Sequence, residues 1–374
     1  MEYITIIICA YNEEKYIEKT IENLSEQDDL KFKVIIVNDG STDSTGDKIK
    51  NLIEKYKGNL KIKYIEKQNT GLADSRNIAV KKVKTKYFMF QNVRDYIDQD
   101  AIKILNKIII QWEETESQKR VDEVEKKELD LIKFNTKTVN KFEELISRNK
   151  TTEFENLDGE NALKQIGFTD NMIYCASSYI YRTDFYLHHN FQFEKGRYYE
   201  DYGILPIIVA LATNVISREE TLYNYAEIEQ EKDSTKENKK MFKQIEDILF
   251  IYNVSLLQIE KQENLKNISA KTAKLLKEIY TKGIIDILLK LYLKYVEKQE
   301  KLERKQDSNN INKEVAKKEA EEITKIYKEY NKKIKDIKIY KYLPVNNFKD
   351  KILRNILKYN VELYFKMLIK DSKR

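Results

Sequence analysis

The sequence contains little cysteine and little histidine. Its two cysteines, Cys9 and Cys175, are far apart in the chain, which indicates unpaired thiols in a reducing compartment rather than a disulfide framework. The only histidines, His188 and His189, are adjacent, and adjacent histidines rarely bind one metal ion together. We therefore expect the histidines to have a packing or loop role.

The sequence also lacks a long uncharged apolar segment. Its richest candidate, residues 283–296, contains three charged residues and is shorter than the roughly 18–20 residues that span a bilayer, so no transmembrane helix is predicted. The amino terminus has no basic segment followed by an apolar run and a cleavage site, so no signal peptide is expected. These absences predict a cytoplasmic protein, either free or at the inner face of the cell membrane.

Charge is nearly balanced over the chain but uneven along it. The 68 Lys and Arg against 62 Asp and Glu give a net charge of +6, which is too small to indicate a nucleic-acid partner. Residues 331–374 contain thirteen basic and four acidic residues, a net charge of +9. Such a tail fits an anionic membrane surface, an anionic partner or a solvated helical face.

Two short apolar runs, residues 4–9 and 34–37, end in polar, turn-forming loops. Uninterrupted β-branched runs of this kind are typical of parallel strands that are buried on both faces of a sheet. In an open α/β sheet, ligands bind in the crevice beyond the carboxyl ends of the strands. The sequence therefore predicts a nucleotide-binding crevice with these loop residues: Asn12, Glu13, Asp39 and Ser41.

Strand and helix patterns alternate along the first part of the chain. The predicted strands are residues 4–9, 33–37, 62–65 and 87–90, and the helices between them are residues 14–26, about 44–58 and 72–83. This alternation predicts an α/β fold with a mostly parallel central sheet and right-handed crossovers. Further on, the expected elements are a helix at 100–112, a strand at 129–134, a helix at 158–166, an extended segment at 173–181, a helix at 204–212 and a strand at 215–217.

The pattern changes near residue 237, after which helical periodicity continues almost without interruption. Breaks are expected at residues 306–310 and at Pro344, and residues 113–128 form a charge-dense connection. We therefore predict a first domain at residues 1–236, with halves at 1–98 and 99–236. A helical carboxy-terminal region with a basic amphipathic tail follows at residues 237–374.

An ordered series of short motifs covers roughly residues 1–234. The motifs are ICAYNEE at 8–14, VNDGSTD at 37–43, NTGL at 69–72, SRN at 75–77, YFMF at 87–90, FEKG at 193–196, YED at 199–201 and LYNY at 222–225. In order and spacing the series resembles family 2 glycosyltransferases of the GT-A fold, of the type that makes bacterial cell-surface polysaccharides. The resemblance implies a nucleotide-binding half at residues 1–98 and an acceptor-side half at 99–236.

The resemblance assigns the first two loops to the nucleoside of the donor, with Asp39 accepting the N–H of the base. Uracil offers such an N–H group and cytosine does not, so a UDP-linked sugar is expected. Arg76 would face the diphosphate or the sugar. The simpler structural roles are a helix cap for Asp39 and a surface position for Arg76. The implied donor-binding residues are Ala10, Tyr11, Glu13, Asp39, Ser41, Arg76, Asn92 and Arg94.

By the same resemblance, Asp201 is the expected catalytic residue. Direct displacement at an anomeric carbon inverts its configuration and needs a base that takes the proton of the acceptor hydroxyl. Glu200 and Asp201 end an aromatic loop and begin an apolar helix, where a carboxylate is partly desolvated. The structural alternative is that these residues cap the helix and complement its dipole.

One motif departs from the family pattern. Fourth strands of the family usually end in an Asp-x-Asp pair that holds Mg²⁺ or Mn²⁺ on the diphosphate, whereas the two positions here are Asn92 and Arg94, followed by Asp95. Three interpretations stay open: Arg94 itself neutralises the diphosphate, Asp95 alone holds a metal, or the chain has lost catalysis and kept binding. A surface ion pair of Arg94 with Asp95 or Asp98 is the purely structural alternative.

These observations predict a glycosyltransferase that moves a sugar from a nucleotide sugar to a glycan or lipid-linked acceptor, without a certain metal cofactor. The first alternative is an inactive nucleotide-sugar-binding scaffold in a glycan-assembly complex. The second is a nucleotidyltransferase, but such an enzyme needs a glycine-rich basic loop after the first strand, and residues 10–14 are neither glycine-rich nor basic.

Overall fold

The computed structural model describes residues 1–118, 127–140, 142–149, 152–167, 174–227, 234–306 and 313–372. Its first four strands are all parallel and lie in the order β3-β2-β1-β4. They are β1 (Ile4–Ala10), β2 (Phe32–Asp39), β3 (Lys61–Lys67) and β4 (Tyr87–Asn92). The predicted parallel arrangement is therefore confirmed, and it places the polar loops after β1, β2 and β4 at one edge of the sheet.

The sheet continues from β4 through strands that complete a ten-stranded mixed sheet. The strand order is β3-β2-β1-β4-β9-β6-β10-β5, with β7 paired to β6 and β8 paired to β10. Only the β6–β10 pair is parallel in this half of the described sheet. The strands are β5 (Tyr96–Ile97), β6 (Leu131–Val139), β7 (Leu145–Arg148), β8 (Phe154–Leu157), β9 (Tyr179–Arg182) and β10 (Val215–Ala226).

Seven helices lie among the described residues between positions 1 and 229. They are α1 (Ile17–Ser25), α2 (Thr45–Lys55), α3 (Leu72–Val80), α4 (Ala101–Gln118), α5 (Gly159–Gly167), α6 (Thr183–His188) and α7 (Glu200–Leu211). Helix α1 buries Ile17, Ile21 and Leu24, whose spacings of four and three residues put them on one face. That face belongs to the same core as the alternating residues Ile4, Ile6 and Ile8 of β1.

Contacts divide the chain into two compact units. One comprises Met1–Gly196 and Glu200–Glu229, and the other comprises Arg197–Tyr199 and Gln230–Arg374. The second unit is helical: α8 (Ser234–Asn264), α9 (Ala270–Gln306), α10 (Lys313–Asp336), α11 (Phe348–Tyr359) and α12 (Val361–Ser372). None of the described helices combines the length and apolar character needed to cross a membrane.

Some expected elements differ from the structure. Residues 176–178, expected to be extended, form a 3-10 turn in which the Ser178 N–H donates to the Cys175 carbonyl, and only Tyr179–Arg182 is a strand. The last strand extends through Ala226 rather than ending at Ser217. Most of the charge-dense connection, residues 119–126, lies outside the described residues, as do residues 307–310 of the break expected at 306–310.

Candidate functional site

The loops after β1 and β2 are joined to each other by side-chain hydrogen bonds. Asn12, at a positive φ of 54°, accepts at Oδ1 from the Thr42 N–H at 2.8 Å, and its own N–H donates to Ser41 Oγ at 3.0 Å. The Glu13 N–H donates to Thr45 Oγ1 at 2.8 Å. These contacts fix the shape of both loops without a ligand, which is the preorganisation that a binding site needs.

Asp39 lies at the end of β2 and organises a third loop. Its Oδ1 accepts from the Thr70 N–H at 3.0 Å, and its Oδ2 accepts from the Gly71 N–H at 2.8 Å. Lys67 also forms an ion pair with this carboxylate, whose side chain is 4% exposed. Asp39 therefore anchors the loop that leads into α3. Its expected hydrogen bond to a nucleotide base stays a prediction.

Arg76 of α3 contacts the predicted catalytic residue, Asp201, and its neighbour Glu200. Its Nη1 is 2.6 Å from Asp201 Oδ1 and 3.2 Å from Glu200 Oε1, while its Nη2 donates to Asn92 Oδ1 at 3.3 Å. The Arg76 residue is 4% exposed, so it is not a surface arginine. Because two carboxylates already surround the guanidinium, its geometry fits orientation of the acid pair better than direct contact with a diphosphate.

The guanidinium also contacts aromatic rings. Arg76 Cζ lies 5.2 Å from the ring centroids of both Phe90 and Phe193, within reach of cation–π attraction. Burial opposes the charged form of Arg76, but the attraction of Asp201 and Glu200 outweighs it and raises the pKa of Arg76. The arginine therefore stays charged in this buried position.

The two carboxylates have different surroundings. Asp201 Oδ2 accepts from the Ala176 N–H at 3.0 Å, so both of its oxygens have protein donors. Burial and the neighbouring Asp201 charge raise the pKa of Glu200 to about 7, despite the opposing effect of Arg76. Two carboxyl groups whose environments differ in this way suit acid–base chemistry near neutral pH.

Asn92 and Asp95 belong to a buried polar network at the end of β4. Asp95 Oδ2 accepts from the Tyr223 hydroxyl and from Asn92 Nδ2, both at 2.7 Å, and Asp95 Oδ1 accepts from the Ala226 N–H at 3.0 Å. Burial raises the pKa of Asp95 although these hydrogen bonds work in the opposite direction. Asp95 is thus held by three protein donors.

These residues do not fit a divalent metal. The Asn92 side-chain oxygen accepts from Arg76, and both Asp95 oxygens accept hydrogen bonds from protein donors. No group of three or more His, Cys, Asp or Glu within the described ranges is arranged to hold a metal ion. A hard cation needs several oxygen ligands, which these side chains do not provide.

Arg94 lies on the other side of the same segment and pairs with the first loop. Its Nε donates to Glu13 Oε2 at 3.0 Å, and its Cζ lies 4.6 Å from the centroid of the Tyr16 ring. Arg94 therefore forms its ion pair with Glu13, and not with Asp95 or Asp98 as the structural alternative predicted.

The predicted site residues thus gather at one edge of the sheet. Ala10 is buried at the end of β1, while Tyr11 is 47% exposed beside it. The structure links Glu13 to Arg94, and Arg76 to Asn92 and Asp201. Reasoning from sequence missed the parts played by Lys67, Ala176 and Tyr223, and only the LYNY motif gave a signal for Tyr223.

Comparison with known proteins identifies relatives of the first part of the chain. Residues 5–113 match the family model described as Glycosyl transferase family 2. Glycosyltransferase GlyA of Streptococcus pneumoniae is 34% identical over 110 residues, which are 29% of this chain and 15% of that protein. The teichoic acid poly(glycerol phosphate) polymerase of Staphylococcus epidermidis is 39% identical over 102 residues, 27% of this chain and 14% of the polymerase. These curated relatives are therefore matched over less than a fifth of their own length.

Solved structures share the fold over nearly the whole chain. The crystal structure of residues 1–349 of S. aureus TarS in complex with UDP-GlcNAc has a TM-score of 0.59 and 17% identity, covering 97% of this chain and 88% of that one. A longer TarS structure has a TM-score of 0.60 and 16% identity, covering 97% of this chain and 54% of the other. At these identities the likeness shows the fold alone.

Proposed function

We propose that this chain, whose residues 5–113 match the Glycosyl transferase family 2 model and whose fold TarS shares, transfers a sugar from a UDP-linked donor to a glycan or lipid-linked acceptor, with inversion. The observation that carries the proposal is the gathering of Glu13, Asp39, Arg76 and Asp201 at the carboxyl edge of parallel strands. This edge is where open α/β sheets bind ligands.

The proposed reaction is a direct displacement. The acceptor hydroxyl oxygen forms a bond to the anomeric carbon while the bond from that carbon to the diphosphate oxygen breaks. The electron pair of the broken bond leaves with UDP, and the hydroxyl proton passes to Asp201. Arg76 and the Ala176 N–H hold the Asp201 carboxylate in one orientation for this transfer.

Two similar proteins support the proposed donor and acceptor classes. One structural neighbour was solved with UDP-GlcNAc. Another relative, poly(ribitol-phosphate) β-N-acetylglucosaminyltransferase TarS of Staphylococcus aureus, is 35% identical over 103 residues, 26% of this chain and 17% of that enzyme. The bound UDP-GlcNAc favours a UDP-linked sugar for this chain, and the poly(ribitol-phosphate) acceptor of the second relative favours a polymer acceptor.

Donor hydrolysis over a panel of nucleotide sugars tests the proposal, together with calorimetric binding of UDP. We expect Asp201→Asn to keep UDP binding but to lose turnover by about 10²–10⁴-fold, the usual contribution of a positioned base. Asp184→Asn, an exposed aspartate on α6, is the matched control and should behave as wild type. UDP-sugar binding without turnover by the wild-type chain would contradict the proposal and support the inactive scaffold. Full activity in Asp201→Asn would contradict the assigned base.

The exposed residues of helix α11 support the further proposal that this chain acts at an anionic membrane surface. Helix α11 exposes an apolar stripe in which Phe348 is 76% exposed, Tyr359 is 67% exposed and Ile352 is 41% exposed. Their spacings of four and seven residues put them on one helix face. Lys351 and Lys358 are exposed beside this stripe, and residues 331–374 carry a net charge of +9. An aromatic stripe flanked by lysines is the pattern of a helix that lies in a lipid interface.

Vesicle co-sedimentation tests this location. Vesicles with anionic phosphatidylglycerol should bind the protein, and pure phosphatidylcholine vesicles should bind it more weakly. Changing Lys351 and Lys358 to Gln should weaken binding by about 30-fold at low salt, because each lysine near such a surface contributes about 1 kcal/mol. The same change at Lys325 and Lys328, exposed on α10, is the control. Equal binding to both vesicle types would contradict the proposed location.

A further inference from the structure

The segment after β4 carries a fixed positive charge where the resemblance leads one to expect a metal ligand. We propose that Arg94, and not a divalent cation, binds the diphosphate of the donor in this chain. This inference rests on the proposed function, since it names how that donor is held.

The Asp95 carboxylate and the Asn92 amide already make hydrogen bonds within the protein. Asp95 is 6% exposed and accepts three protein hydrogen bonds, and Asn92 is bonded through both its oxygen and its nitrogen. A metal bound to Asn92 Oδ1 would compete with Arg76, and one bound to Asp95 Oδ2 would compete with Tyr223 and the Asn92 amide. It would also lie near the positive charge of Arg94.

Arg94 is held in place through its Nε, yet it keeps N–H donors available for a ligand. Only its Nε has a protein acceptor among the described contacts, namely Glu13 Oε2. The two Nη atoms carry four N–H donors in a planar fork, a shape that matches two phosphate oxygens. The Arg94 side chain is 35% exposed, so a ligand can reach it.

Glu13 and Tyr16 hold the Arg94 guanidinium in place. Glu13 is fixed through its own N–H, which donates to Thr45 Oγ1, and the Tyr16 ring supports the guanidinium from the side. Glu13 and Tyr16 both belong to the segment that follows β1, which is the predicted donor loop. The arginine is therefore oriented before a ligand arrives, and little side-chain freedom is lost on binding.

Arg94 differs from Arg76 and Lys67 in the number of its carboxylate partners and in its exposure. Arg76 is balanced by Glu200 and Asp201, and it is buried. Lys67 contacts Asp39 and is also close to a second carboxylate. Arg94 has one described carboxylate partner and is more exposed than either, which leaves it best suited to an incoming dianion.

Calorimetric binding of UDP and of uridine, each in EDTA and in Mn²⁺, tests the proposal without depending on turnover. Wild type should bind UDP in EDTA, and Mn²⁺ should change the affinity by less than threefold. Arg94→Ala should weaken UDP binding at least tenfold and leave uridine binding unchanged. Arg94→Lys should fall between the two, because lysine keeps the charge and loses the fork. Lys19→Ala is the control, since Lys19 is an exposed cation that also pairs with a glutamate, Glu143.

A converted site gives the opposite test. The double variant Asn92→Asp/Arg94→Asp restores two acidic side chains, and we expect its UDP binding to be lost in EDTA and regained in Mn²⁺. The proposal is overturned if wild-type UDP binding requires Mn²⁺, or if Arg94→Ala binds UDP as wild type does. If wild type binds neither UDP nor uridine under any condition, the proposed function itself is wrong.

Discussion

Replacing Arg76 by Met should reveal how strongly the buried cation holds the acid pair together. The guanidinium lies 2.6 Å from Asp201 and 3.2 Å from Glu200, and removing it leaves two adjacent buried carboxylates without a counter-charge. Breaking a buried ion pair from one side costs about 3–5 kcal/mol. We expect a loss of unfolding free energy of about this size at pH 8.

The loss should depend on pH in a defined direction. The pKa of Glu200 is already raised to about 7, and removing Arg76 removes an influence that lowers it. A carboxyl group with a raised pKa in the folded state binds its proton more tightly there than in the unfolded chain. Its favourable contribution is complete below the unfolded value near 4.5 and disappears as the pH rises through the folded value. The variant should therefore be closest to wild type near pH 5 and furthest from it above pH 7.

Urea unfolding followed by the fluorescence of Trp112, the only tryptophan, measures this effect. Trp112 lies in α4, in the same unit as Arg76. The double variant Arg76→Met/Glu200→Gln should recover part of the loss at pH 8, because it removes one of the two unbalanced charges. An equal loss at pH 5 and pH 8, without recovery in the double variant, would show that Arg76 contributes packing and not charge.

Two further predictions concern the loops and the polar network. Gly40 has a φ of +68°, and a Cβ there would lie 2.6 Å from the Asn69 backbone nitrogen. Gly40→Ala should therefore distort the donor loop, weaken UDP binding in calorimetry and cost about 1–3 kcal/mol of stability in urea titration. Unchanged UDP affinity would contradict this prediction. Tyr223→Phe leaves a buried Asp95 oxygen with one donor fewer and should cost about 1–3 kcal/mol in the same titration, while a loss below about 0.5 kcal/mol would contradict the hydrogen-bond assignment.

The central strands could be predicted because their burial leaves a direct mark on the sequence. β1, β2 and β4 are nearly continuous apolar runs, as strands covered on both faces must be. β10 was predicted only in its first three residues, since the polar residues 218–220 interrupt its apolar pattern at a shift in register. β7 has four exposed residues and no apolar pattern at all, so nothing in its sequence marked it as a strand.

The sequence could predict which loop residues share one edge of the sheet, but not which side chains pair there. Loop residues at the ends of parallel strands lie at one edge by topology alone, which places Glu13 and Asp39 together. The ion pair of Arg76 with Asp201 joins residues 125 positions apart, and no local pattern encodes such a contact. Likewise, whether Asp95 lies open to a metal or bonded to Tyr223 depends on how β10 packs beside β5.

The strand order β3-β2-β1-β4 also sets a sequence of events during synthesis. β1 can pair with β2 once Asp39 has left the ribosome, but its other edge waits for β4, which ends at Asn92. During that interval the nascent chain presents an apolar strand with unpaired backbone groups along one side, the kind of edge that recruits other strands. The pairing of β4 with β1 therefore removes this exposed edge from the growing chain.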